Sequence, residues 1–132
     1  MEHRLSRFLA VETAAVAAYR LVIDRFPHEH TGMLHAGLHS HEMLMEALRE
    51  WIENLGGTAS AHDDDDGNSF ADLDQVASDH AGYLHAITIL RQGERDIELE
   101  SGQDLDRLDE FSRMFIERQV VPEHARCLSA LG

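Results

Sequence analysis

Apolar residues recur every three or four positions along almost the whole chain, which is the spacing of one face of an α-helix. Four such stripes follow one another, and no alternating, strand-like run interrupts them. The breaks between the stripes predict helices at about residues 3–25, 28–55, 70–100 and 104–130. A four-helix bundle buries four stripes most economically, because each stripe then packs against the others. The sequence therefore predicts one all-α domain, a four-helix bundle over residues 1–132.

Proline and glycine mark the predicted helix ends. Pro27 falls at the first break, and Gly56 and Gly57 supply a C-terminal stop for the second helix. The first and third breaks are short, so each joins two antiparallel neighbours, whereas the second break spans residues 56–69. Extended, that segment reaches roughly 46 Å, more than the roughly 33 Å of a six-turn helix. We expect two antiparallel helical hairpins joined by one long link, which either crosses the bundle or folds back.

One polar residue interrupts each stripe near the middle of its helix: Glu12, His41, Glu94 and His124. A charged side chain on a core face is costly unless it is paired or bound to a metal. Each hairpin contributes a glutamate and then a histidine, 29 residues later in the first hairpin and 30 in the second. This matched order predicts that the four side chains converge. Two carboxylates and two imidazoles suit a divalent transition metal such as iron, manganese or zinc.

Two residues of the third helix, Glu94 and His80, are candidates for its metal ligand. Residues that face each other across a tight hairpin are equally distant from its turn, and the midpoint of Glu94 and His124 is residue 109. The glycine break lies earlier, at Gly102, and a turn there would place His124 level with His80 on the same stripe. Either the third helix continues through Gly102, or His80 replaces Glu94 as the metal ligand.

Composition narrows the range of functions. The chain carries 25 acidic and 11 basic residues, for a net charge of −14, and it contains no lysine. Such a negative chain repels nucleic-acid backbones and anionic membranes, so neither is an expected partner. The lack of lysine excludes Schiff-base chemistry and a P-loop lysine. The single cysteine, Cys127, suits a reducing compartment, and no signal peptide or membrane span is apparent, so we expect a soluble cytoplasmic protein.

Three further features are expected to be structural. The run Asp63–Asp66 lacks the spacing of an EF-hand loop and is expected to be a solvated acidic loop. Tyr19 lies two turns after Glu12 on the same face, and we expect it to pack in the core, with a hydrogen bond near the metal as the alternative. Cys127 has no basic partner in the sequence and is expected to be a buried thiol.

The chain resembles the ferritin-like superfamily, the di-iron carboxylate bundles that include rubrerythrin and bacterioferritin, and in particular its small bacterial domains of unassigned function. The resemblance covers nearly the whole chain and rests on the segments Val11–Tyr19, His39–Gly57, Gly93–Glu94 and Val121–His124. It implies a ferritin-like bundle with a long link between the second and third helices. It also implies iron as the first choice of metal and a redox or stress-related role.

The chain departs from the dinuclear site of that family. The family takes Glu-x-x-His from its second and fourth helices, but Leu38 and Val121 stand three residues before His41 and His124. What matches is one ligand per helix, which indicates a single divalent ion. An empty vestigial site stays open as an alternative, as does an altered dinuclear site that uses Glu42, Glu98 or Glu123.

The leading functional hypothesis is a ferritin-like protein that holds a divalent transition metal in the bundle core, with iron first and manganese or zinc as alternatives. A second hypothesis is a di-iron or di-manganese oxidase or peroxidase. A third is a non-catalytic helical dimerisation or interaction module whose site is empty. No substrate pocket or catalytic residue can be named from the sequence, so enzymatic activity is left open, as is a homodimer.

Overall fold

The computed structural model describes residues 2–57 and 70–131, apart from the side chains of residues 2–4, 71 and 104, and all regular structure in those ranges is helical. The first three long helices are α1 (Glu2–Arg25), α2 (Gly32–Asn54) and α3 (His80–Asp104). The fourth, α4, comprises Glu110–Phe115, a π-helical turn at Ile116–Val120, and Val121–Ala130. Short 3₁₀ turns occupy Ala71–Gln75 and Leu105–Arg107. The predicted all-helical architecture of four long helices is confirmed.

Three helices begin later than the sequence pattern predicts. The second helix, α2, begins at Gly32 and not at about residue 28, because a turn follows α1. The third helix begins at His80 instead of about residue 70, because Asp79 accepts a hydrogen bond from the Gly82 N–H at 2.8 Å and caps it there. Asp109 caps α4 in the same way, so this helix begins at Glu110 and not at about residue 104.

The end of α2 follows the prediction. Gly56 has a φ of 86°, a left-handed conformation that glycine adopts without steric cost. Its N–H donates to the Glu53 carbonyl at 2.9 Å, and the Gly57 N–H donates to the Ile52 carbonyl at 3.0 Å. These two bonds satisfy carbonyls that the end of a helix otherwise leaves without partners.

Contacts at one end of the bundle establish the helix directions. Arg25, the last residue of α1, donates to the Leu73 carbonyl at 3.0 Å. The hydroxyl of Tyr83, in the first turn of α3, donates to the carbonyl of His30 at 3.0 Å. The start of α3 therefore lies where α1 ends and α2 begins, so α3 runs antiparallel to α1 and parallel to α2.

The described residues that flank the long link lie at different heights of the bundle. Residue 57 follows the far end of α2. Phe70 packs against α3 near its middle, because a Cβ at Gly93 would lie 2.2 Å from Cε1 of Phe70. Residues 58–69, with the acidic run Asp63–Asp66, lie outside the described residues.

The apolar core has two parts. One cluster includes Val22, Phe26, Leu34 and Leu90, and the other includes Leu5, Leu9, Leu48 and Ile52, which lie at the opposite ends of α1 and α2. Along α1 and α2, a buried polar residue separates the two clusters. Within the described ranges, no helix is both long and apolar enough for a bilayer crossing.

Candidate metal centre

Four polar side chains meet at the boundary between the two core clusters, one from each long helix. The residues are Glu12, His41, Glu94 and His124, and none of them is more than 2% exposed. The structure therefore brings together all four residues that interrupt the apolar stripes. Since these groups are almost completely buried, each needs an electrostatic partner within the protein.

The four side chains form a closed ring in which carboxylates and imidazoles alternate. Nδ1 of His41 lies 2.6 Å from Oε2 of Glu12, and its Nε2 lies 2.5 Å from Oε1 of Glu94. Nδ1 of His124 lies 3.1 Å from Oε2 of Glu94, and its Nε2 contacts Oε1 of Glu12. Both nitrogens of both imidazoles therefore face a carboxylate oxygen.

The ring stabilises the charged form of each member. Burial alone would lower the pKa of a histidine, but hydrogen bonds to Cys127, Glu12 and Glu94 raise the pKa of His41 to about 12. Burial is likewise outweighed at His124, whose pKa is raised to about 9 by its hydrogen bonds to Glu12 and Glu94. The same bonds outweigh burial at the two carboxyls, lowering the pKa of Glu94 to about 2 and lowering that of Glu12. Two imidazolium ions and two carboxylates sum to zero charge.

His80 does not belong to this cluster. Its side chain is 68% exposed, and its Nδ1 lies 2.9 Å from Oε1 of Glu29. The third helix continues through Gly102 to Asp104, so the turn of the second hairpin lies close to residue 109, as the midpoint of Glu94 and His124 requires. Glu94 is the residue that faces His124. The alternative prediction, in which His80 lies level with His124, is wrong.

A π-helical turn aims His124 inward. The buried residues of α4 include Ser112, Ile116, Val120 and His124, each four positions after the last. Steps of four drift around an ideal α-helix, which has 3.6 residues per turn. The wider turn, in which the Val121 N–H bonds to the Ile116 carbonyl, absorbs this drift. Phe111, which precedes the wider turn, is 71% exposed although it is only three residues after the buried Leu108.

Tyr19 is a hydrogen-bonding neighbour of the cluster. Its hydroxyl donates to Oε1 of Glu94 at 2.8 Å, and its ring centroid lies 5.2 Å from that of His41. Burial, followed by the charge of Glu94, raises the pKa of the phenol and keeps it a donor. Tyr19 therefore packs in the core, as expected, and its hydroxyl also makes a hydrogen bond to the cluster. Gly37 makes room for the ring, because a Cβ at that position would lie 2.6 Å from Cε1 of Tyr19.

Cys127 is the member of the site that sequence reasoning missed. It is buried, as expected, but its sulfur lies within 4.8 Å of a ring nitrogen of His41. Ligand atoms of Glu12, His41 and His124 all lie within 4.8 Å of one another, and so do those of His41, Glu94 and Cys127. The available signal was the i, i+3 spacing from His124, which places Cys127 on the same face of α4.

Three other carboxylates considered as extra ligands lie apart from the cluster. Glu42 pairs with Arg20 at 3.0 Å, and Glu123 pairs with Arg126 at 2.8 Å. Glu98 is exposed on α3. Since two of these groups already have surface partners, the described residues offer little support for a dinuclear site built from them.

A small pocket leads from the surface toward the cluster. Its volume is about 30 Å³, and Arg7, Glu100 and Ser101 line it together with Glu12 and His124. A cavity of that volume accommodates a water molecule. The pocket therefore offers a route by which water or a small ion can approach the Glu12–His124 side of the cluster.

Comparison of the chain with models of protein families, with curated proteins and with solved structures yields no match in any of the three.

Proposed function

We propose that this chain is a ferritin-like metal-binding protein that holds one divalent transition metal ion, with iron first and manganese or zinc as alternatives. Glu12, His41, Glu94 and His124 would supply the ligands. The observation that carries the proposal is their arrangement: four donor side chains, one from each helix, fully buried and in mutual contact. A redox or stress-related role depends on the resemblance to the ferritin-like superfamily alone.

The donor set fits such an ion in charge. Two neutral imidazoles and two carboxylates neutralise a divalent cation, so a buried complex would carry no net charge. Ligand atoms of Glu12, His41 and His124 lie within 4.8 Å of one another, whereas ligands bound at about 2.0–2.2 Å in a tetrahedron lie roughly 3.4 Å apart. Glu94 faces both imidazoles, at 2.5 Å from His41 and 3.1 Å from His124.

The bound ion would be shielded, and the protein groups would control its protonation and orientation. One nitrogen of each histidine can ligate while the other donates to a carboxylate, which holds the ring in place. Tyr19 donates to Glu94 and so orients that carboxylate. A transition metal there would supply Lewis acidity or electron transfer, depending on its identity.

A second candidate is a metal-free polar core in a helical interaction module. The closed ring favours it, because every one of the four groups already has a hydrogen-bond partner. The two candidates differ in one respect. A structural ring would make the stability of the protein independent of chelators, whereas a metal site would not.

Elemental analysis of protein purified without added metal and without an affinity tag tests the proposal. We expect about one metal ion per chain, lost in His41→Ala and retained in the matched variant His80→Ala, whose side chain is exposed. Two ions per chain would favour the oxidase or peroxidase hypothesis. If the protein contains no metal, takes up none from solution and unfolds identically with and without EDTA, the proposal is wrong.

A further inference from the structure

Cys127 is buried but belongs to neither of the two apolar core clusters. It lies on α4 one turn after His124 and is 4% exposed. Its sulfur is within 4.8 Å of ligand atoms of both His41 and Glu94. These three residues therefore form a second set of donors, which shares His41 with the set of Glu12 and His124.

We propose that Cys127 is a ligand of the metal ion and binds through its deprotonated Sγ beside His41 and Glu94. This inference rests on the proposed function, because it needs an ion in the cluster. It places that ion on the His41–Glu94 side, so that Cys127 takes the place in the ligand set that the proposed function gives to Glu12 and His124. On binding, the thiol proton and one proton of His41 pass to solvent, and a sulfur–metal bond forms without any change in oxidation state.

Charge is compatible with this donor set. A divalent ion with one thiolate, one carboxylate and a neutral imidazole has no net charge, as is also true of an ion held by two carboxylates and two neutral imidazoles. Glu12 and His124 can then remain as a carboxylate–imidazolium pair, which is also neutral. Every buried charge in the site is compensated.

The orientation of His41 supports the same assignment. Its Nε2 faces Glu94, the carboxylate grouped with Cys127, at 2.5 Å, and its Nδ1 faces Glu12 at 2.6 Å. A ligating histidine ordinarily donates its second N–H to a carboxylate, which fixes the orientation of the ring. Glu12 would serve as that positioning group. Thiolate, imidazole and carboxylate together suit Zn²⁺ or Co²⁺, for which thiolate is a favoured ligand.

Titration of the full-length, metal-free protein with Co²⁺ provides the test, since a thiolate bound to Co²⁺ produces a charge-transfer band in the near ultraviolet. We expect this band in the wild type, with saturation at one equivalent. Cys127→Ser should lose the band and bind Co²⁺ at least about tenfold more weakly. X-ray absorption of the Zn²⁺ complex should show a sulfur neighbour at about 2.3 Å.

The alternative outcomes separate this inference from the proposed function. If Co²⁺ binds and gives visible ligand-field bands but no near-ultraviolet band, thiolate ligation is wrong and the metal site stands. A wild type that binds neither Co²⁺ nor Zn²⁺ overturns both. The wild-type spectra alone decide between these cases, so the test holds even if the serine variant fails to fold.

Discussion

Nε2 of His41 lies 2.5 Å from Oε1 of Glu94, and neither side chain is exposed to solvent. The opposite nitrogen of His41 faces Glu12. A neutral imidazole has only one N–H, so it cannot donate to two ionised carboxylates at once. His41 therefore satisfies both neighbours as an imidazolium, and the same argument applies to His124. A cation that binds through an imidazole nitrogen must displace the proton on that nitrogen.

We predict that metal binding releases about two protons per ion near neutral pH. The pKa values of His41 and His124, about 12 and about 9, keep both imidazoles protonated in the metal-free protein at pH 7. Because a ligating nitrogen must lose its proton, metal affinity should rise with pH. Calorimetric titration with Zn²⁺ in buffers of different ionisation enthalpy measures the number of protons. An affinity that is constant between pH 6 and pH 8 would contradict the prediction.

The stability of the metal-free protein should be greatest between about pH 4.5 and pH 6.5. The pKa of His124 rises from 6.5 to about 9 on folding and that of His41 to about 12, so their contribution is complete below pH 6.5 and is lost as the pH rises through those values. The pKa of Glu94 falls from 4.5 to about 2, so its contribution is lost as the pH falls through that range. Urea unfolding in EDTA across the pH range measures the loss of stability at both low and high pH. A stability that increases from pH 6.5 to pH 9 would exclude this account.

Glu94→Gln should destabilise the metal-free protein by about 3–5 kcal/mol, because it leaves two buried imidazoles without their shared carboxylate. Glu98→Gln is the matched control on the same helix. Its side chain is exposed, so the change should stay within about 0.5 kcal/mol. Chemical denaturation of both variants at pH 6 gives the comparison. Equal losses in the two variants would show that the ring contributes nothing specific to stability.

Two helix glycines should respond to alanine in opposite directions. At Gly37 a Cβ would lie 2.6 Å from the Tyr19 ring, so Gly37→Ala should cost about 1–3 kcal/mol through overpacking. At Gly102 a Cβ would meet no atom within 4 Å, so Gly102→Ala should stabilise the protein by about 0.5–1 kcal/mol through helix propensity. Thermal melts of the two variants test the pair. Stabilisation by Gly37→Ala would show that Tyr19 does not depend on this space.

The four helices and three residues of the cluster, Glu12, His41 and His124, could be identified without coordinates, for one physical reason. Burial of charge is so costly that a glutamate or histidine on an apolar stripe stands out from a spacing pattern alone. Glu12 and His41 were the simplest cases, since the short turn at Pro27 fixes their relative height. The end of α2 was equally local, because the left-handed conformation at Gly56 depends on a single residue.

Tertiary structure decided what depends on the rotation and height of one helix against another. The choice of Glu94 over His80 required the position of the second turn, which Asp109 capping and the continuation of α3 through Gly102 determine together. The π-helical turn changes which side of α4 faces the core, and the composition of its five residues does not predict it. Tyr19 and Cys127 were read as packing residues because apolar spacing records only that a position is buried. Which buried groups touch is set by the packing of all four helices.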